Sequence, residues 1–207
     1  SNTDTWWQYE RPRPDMRNAL KGKKRYIATP RVSKHRLFVW LDQNVLANDG
    51  TTVFASDSDY FFGILQSKLH ELWARATGTQ LREAESGFRY TPSTCFETFP
   101  FPWPPSQEPK KDPRVQAIGQ AAKELVEQRD RWLNPEKTSE VSHEASKDLK
   151  PSKKTSEVST KRTLTNLYNQ RPTWLDLAHK RLDEAVFAAY GWKSDLSDEE
   201  ILEKLLA

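Results

Sequence analysis

Between Glu10 and Arg36 the chain carries ten Lys or Arg side chains against two acidic ones, Glu10 and Asp15. The local charge is therefore +8, whereas the whole chain is +3, so the remainder sums to −5. A cationic run of this density, which also includes His35, has the chemistry of a phosphate-backbone footprint, because ammonium and guanidinium groups neutralise phosphates and release their counterions. On charge alone the run equally suits a solvated basic face.

Other chemistries lack their residues. Methyl transfer to a base amino group uses a glycine turn after a first strand and an Asn/Asp-Pro-Pro-aromatic tetrad. Here Phe61-Phe62-Gly63 falls inside a predicted helix, and Pro104-Pro105 has neither the preceding amide nor the following aromatic. A metal-dependent nuclease needs Pro-Asp followed by Asp/Glu-x-Lys, and Pro14-Asp15 has no such sequel, since Lys204 directly follows Glu203. His35, His70, His143 and His179 lie far apart in sequence, without the partner spacing of a metal site, so each reads as a surface or core histidine. Cys95 is the only cysteine, which rules out an internal disulfide and reads as a small buried side chain. A lone cysteine, no apolar stretch near the roughly 20 residues that cross a bilayer, and no leader pattern make the cytoplasm the expected location.

The elements that would position the basic run begin with three β-branched and aromatic stretches, 26–29, 35–41 and 51–55, separated by Pro30 and by the turn signal Asn48-Asp49-Gly50. They predict a short antiparallel sheet. Asp57 or Ser58 caps a helix over 59–76, in which Phe61, Ile64, Leu65, Leu69, Leu72 and Trp73 recur at helical spacing, and Gly78 ends it. Residues 79–87 form an exposed polar loop that returns to the sheet at Phe88. Phe99-Pro100-Phe101-Pro102-Trp103-Pro104-Pro105 forbids helix and central strand alike and reads as an extended strap packed on the sheet domain. Pro113 opens a helix running to Leu133. Residues 134–162, rich in Ser, Lys and Glu, read as a loose linker, despite a six-residue repeat starting at Lys137 and again at Lys154. Pro172 begins another helix that Gly191 stops, and Ser197-Asp198-Glu199-Glu200 is a capping box for the last one.

The fold class expected is α+β, a small antiparallel sheet with packed helices followed by a helical C-terminal region. Ser1-Asn2, with no initiator Met before Thr5-Trp6-Trp7, reads as a cloning remnant on a piece of a longer protein. The expected divisions are a recognition domain over 3–105, a long helix in 106–133, the linker at 134–162 and a helical region over 163–207.

Three runs carry a family resemblance. They are Arg25-Tyr26-Ile27-Ala28-Thr29-Pro30-Arg31-Val32-Ser33-Lys34-His35-Arg36, Asp59-Tyr60-Phe61-Phe62-Gly63-Ile64-Leu65, and Arg89-Tyr90-Thr91-Pro92-Ser93-Thr94-Cys95-Phe96-Glu97-Thr98-Phe99-Pro100-Phe101-Pro102. Together they resemble the target-recognition region of the MmeI-like combined adenine DNA methyltransferases and restriction endonucleases. The tail, from Arg162-Thr163-Leu164 through Ala188-Ala189-Tyr190-Gly191-Trp192 to Leu196-Ser197-Asp198-Glu199-Glu200-Ile201-Leu202, is similar to the C-terminal end of the same proteins. The resemblance implies a parent with an upstream methyltransferase domain that uses S-adenosylmethionine, while this chain grips double-stranded DNA and chooses the sequence. In that role Arg25, Arg31, Lys34 and Arg36 are the expected phosphate contacts. Gln80, Arg82, Arg89 and Tyr90, in or beside the 79–91 loop, are the expected readers of base edges, Arg against guanine and Gln against adenine. The alternative is a module that docks a partner or the parent's own catalytic domain.

Overall fold

The computed structural model describes residues 14–80, 87–135 and 162–207. In chain order the elements are α1 (Pro14–Leu20), β1 (Arg25–Pro30), β2 (Val32–Ser33), β3 (Val39–Asp42), β4 (Thr51–Phe54), α2 (Asp59–Gln66), α3 (Lys68–Thr77), β5 (Thr79–Gln80) and β6 (Phe88–Arg89). A π-helical turn (Pro92–Phe96) follows, then α4 (Pro113–Leu133), α5 (Leu164–Gln170), α6 (Thr173–Tyr190) and α7 (Asp198–Leu206). The architecture is α+β, with two small antiparallel sheets rather than the one expected: β3-β1-β4 and β2-β6-β5.

Alternation along β1 divides the first sheet between two apolar clusters. Tyr26 and Ala28, with their register partners Leu41, Val39 and Val53, meet Leu20 and Met16 of α1. Ile27 faces the other way and joins the main core with Phe54 and Trp40. The expected strand over 35–41 pairs only from Val39, because side chains satisfy the backbone before it. Phe38 donates its N–H to Gln66 Oε1 at 3.0 Å, and its carbonyl accepts from Arg129 at 3.0 Å.

The single helix expected over 59–76 is two helices. Ser67 leaves the helical region with ψ 158°, donates its hydroxyl to the Ile64 carbonyl, and caps α3 by accepting from the His70 N–H. A carboxylate far along the chain, Asp183, accepts from the Lys68 N–H at 2.8 Å and serves the start of α3 as well. Residues 60–66 are all buried, so α2 is a core helix enclosed on every side.

Around α2 the long helices close. Gly63 lets α4 and α6 approach, since a Cβ there would stand 2.6 Å from Ile118 Cγ2 and 3.2 Å from Leu182 Cδ1. Ile118 and Leu125 of α4 and Leu175, Leu182 and Val186 of α6 are fully buried in the same cluster as the first sheet's inner face. The strap threads between the two halves. Phe99 is buried against Phe101 with ring centres 4.8 Å apart, and the Pro100 carbonyl accepts from the Tyr190 hydroxyl at 2.8 Å. The capping box forms in full, with Ser197 and Glu200 exchanging backbone-to-side-chain bonds of 2.8 and 3.2 Å. The linker expected at 134–162 lies outside the described residues apart from its ends.

Candidate nucleic-acid interface

Where β1 runs over into β2, the chain passes Arg31. Its N–H donates to the Gly50 carbonyl at 2.8 Å, and its carbonyl accepts from the Tyr90 N–H at 2.7 Å. These bonds tie the exposed Arg31 to the β3–β4 turn on one side and to the end of β6 on the other. In the second sheet Arg89 pairs with Val32 and with Thr79, and directly opposed residues share a face, so these three project together to the outside. The 81–86 segment, Arg82 included, lies outside the described residues, and Gln80 occupies the register position opposite Phe88 where that segment departs.

Its re-entry is fixed by Gly87. The residue has φ +82°, and a Cβ on it would stand 2.0 Å from the Ser33 carbonyl oxygen, so only glycine admits this approach of the loop to β2.

The two exposed arginines meet at an open cleft of about 690 Å³, bounded by Asp15 and Met16 of α1, Asn48 before β4, Thr51 and Thr52, and Thr91 beyond β6. An expected phosphate contact, Arg31, and an expected base reader, Arg89, thus share one surface with hydroxyl and amide groups. That combination offers charge for a backbone and directional donors for base edges.

Of the other named residues, Tyr90 also lines the cleft but is buried, whereas Arg25, Lys34 and Arg36 do not join it. Arg25 spans Asp59 at 2.7 Å and lies 3.8 Å over the Trp40 ring, half-exposed at the base of α2. Lys34 is exposed, but its Nζ donates at 3.2 Å to Asn169 Oδ1, which His35 also reaches at 2.8 Å, so it stands against α5 rather than in the cleft. Two assignments are corrected by burial: Arg36 is 2% exposed and Tyr90 1%. Arg36 is spent on carbonyls and Thr29, and the Tyr90 hydroxyl is 2.9 Å from His70 Nε2. Burial lowers the Arg36 guanidinium to about 10, holds His70 down to about 3 and raises the Tyr90 phenol, consistent with groups taken out of water.

Sequence reasoning passed over Asn48 and Thr51, reading them only as turn and strand. It also missed Arg129, a buried cation on α4 that bonds Phe38 and Gln66. Among the described residues, no group of three His, Cys, Asp or Glu could hold a metal ion, and no helix is long and apolar enough to cross a membrane.

Two small antiparallel sheets bordering an arginine-lined cleft, backed by a helical core, define an α+β domain. Residues 10–103 match the family model described as MmeI, target recognition domain. DNA methyltransferase A of Bacillus subtilis (strain 168) is 30% identical over 149 residues, 71% of this chain. A solved structure of the Type IIL restriction-modification enzyme MmeI in complex with DNA matches 89% of this chain with a TM-score of 0.65 and 25% identity. The chain spans only 13% of the first relative and 21% of the second.

Proposed function

We propose that this chain is the sequence-specific double-stranded-DNA recognition module of a larger restriction-modification DNA methyltransferase of the cytoplasm. In this reading it holds the target in register while a domain upstream in the same protein methylates an adenine N6 amino group. The observation that carries the proposal is the coincidence of the target-recognition match, over 10–103, with the residues that bring Arg31 and Arg89 to one cleft. S-adenosylmethionine would supply the methyl group in the upstream domain. The glycine turn and the Asn/Asp-Pro-Pro-aromatic tetrad do not occur in these 207 residues, so no step of the transfer is assigned to them.

Within this reading Arg31 grips and Arg89 reads. The test is binding of the intact protein to a duplex it selects from a randomised library, compared with a scrambled duplex across a salt series. Arg31→Ala should weaken both duplexes alike and reduce the slope of log K against log salt by about 0.9, the share of one phosphate. Arg89→Ala should cost about 1–3 kcal/mol on the selected duplex alone. Failure of the protein to enrich any sequence would overturn recognition.

A further inference from the structure

Arg36 belongs to the same basic run as Arg31 yet sits inside, at the junction of the two sheets. Its Nη1 donates to Thr29 Oγ1 at 3.0 Å and to the Pro30 carbonyl, both in β1, while Nη2 donates to the Phe88 carbonyl of β6 at 3.0 Å. The Thr29 hydroxyl in turn donates a hydrogen bond to the Leu37 carbonyl at 2.8 Å. The face of the guanidinium lies over the Phe88 and Tyr90 rings, 4.7 and 5.1 Å from their centres. None of the ion pairs among the described residues includes Arg36, and its Nε is buried without a partner.

A buried cation with no carboxylate is a poor way to gain stability, since a hydrophobic side chain of similar volume fills the space without the desolvation cost. What the planar fork does supply is geometry: fixed donor directions that join acceptors on two otherwise separate strands. The anchored carbonyls belong to Pro30 and Phe88, each one residue before an arginine of the cleft.

We propose that Arg36 is a positioning residue for sequence choice: by holding the Pro30 and Phe88 carbonyls on one guanidinium, it fixes the spacing between Arg31 and Arg89. The role rests on the DNA-recognition reading above and adds to it a buried determinant that touches no nucleotide.

The test uses Arg36→Lys, which keeps the charge but cannot fork, and Arg36→Met, which keeps the volume, both in the intact protein and alongside Arg31→Ala and Arg89→Ala. The selected and scrambled duplexes are titrated across a salt series well below each variant's Tm. Both Arg36 variants should lose about 10-fold in the ratio of the two affinities, the discrimination of one well-placed bidentate contact, with the salt slope unchanged. An unchanged ratio in a folded Arg36 variant would reduce the residue to a structural role and overturn the proposal. A slope smaller by about 0.9 with the ratio kept would also overturn it, by making Arg36 a phosphate contact. If Arg31→Ala and Arg89→Ala leave slope and ratio unmoved, the cleft itself is wrong and the positioning role falls with it, an outcome separate from failure of Arg36 alone.

Discussion

The helical half and the second sheet of this chain are held in place by different means. Around α2, the helices α4 and α6 bury Ile118, Leu125, Leu182 and Val186 completely, and a glycine at 63 brings them into contact. The second sheet consists of three strands of two residues each, with Val32 and Arg89 exposed on its outer face. Beside the burial of Phe88 in the main core, its order comes from directional bonds: the Arg36 fork, the Tyr90 N–H to the Arg31 carbonyl, and the tight approach of Gly87 to Ser33. Apolar burial is forgiving of small displacements, whereas a base edge is not, so a reading surface needs geometric restraint more than buried area. One apolar core serves both regions, and the junction of the sheets adds bonds of fixed direction.

The largest effect should follow from damage to the first of these. Leu182→Ala leaves a cavity where α2, α4 and α6 meet and should cost about 2–5 kcal/mol. In thermal unfolding each kcal/mol should lower Tm by roughly 2–4 °C for a chain of this size. Folded molecules should keep the same ratio of selected-to-scrambled duplex affinity. A variant that lost discrimination well below its Tm would show that the two halves are not separable.

Gly87→Ala is the converse test. With φ +82° and a Cβ placed 2.0 Å from a backbone oxygen, the loop must withdraw from β2, at a cost of about 1–3 kcal/mol confined to the small sheet. Far-UV circular dichroism should keep its helical signal while affinity for the selected duplex drops by more than about 10-fold, a change of about 1.4 kcal/mol or more. Intact binding would mean that the 81–86 segment and β6 take no part in reading.

Much of the helical half was legible because its signals are local. Pro113 after Asp112, the apolar stripe of 113–133 and the Ser197–Glu200 box each lie within a few residues of what they determine. The break at Ser67 was not, because Asp183, which takes the Lys68 N–H, lies 115 residues away. The second sheet escaped notice for another reason: two-residue strands carry no periodicity. In the site, the chemistry of Arg31 and Arg89 could be named from residue type, but their meeting depends on the pairing of β2 with β6 across a glycine turn. Arg36 and Tyr90 were misread because the acceptor on Phe88 and the imidazole of His70 are remote partners, 52 and 20 residues off. Charge and loop position suggest exposure until such partners are known.

The link from Asp183 to α3 offers the smallest test, because it is one of several bonds between the tail and the rest of the chain, beside Lys34 to Asn169, Tyr190 to Pro100 and Lys68 to Asp198. Asp183 faces Lys68, whose ammonium is 2.6 Å from Asp198, together with Glu71 on α3, Arg171, which pairs with Asp176, and His179 one turn earlier on α6. Burial pushes its carboxyl up to about 7, opposed by the Lys68 N–H and ammonium. An acid whose folded pKa lies above the ordinary value of roughly 3.9 binds its proton more readily when folded, so its contribution to stability falls as pH rises from about 4 to about 7. Asp183→Asn keeps an acceptor for the Lys68 N–H and cannot ionise. The variant should therefore gain on the wild type as pH rises, by about 1 kcal/mol at pH 8 once the solvent-facing edge of the site is allowed for. His179, held down to about 4 by burial, loses stability as pH falls from about 6.5 to about 4, but it does so in both proteins and cancels in the difference. Urea unfolding of the two proteins at about pH 5 and pH 8 measures that difference directly. A gap that stays flat between the two pH values, or widens in the wild type's favour at the higher one, would mean that Asp183 is ionised at little cost and that its bond to Lys68 is a net support for the junction of tail and reader.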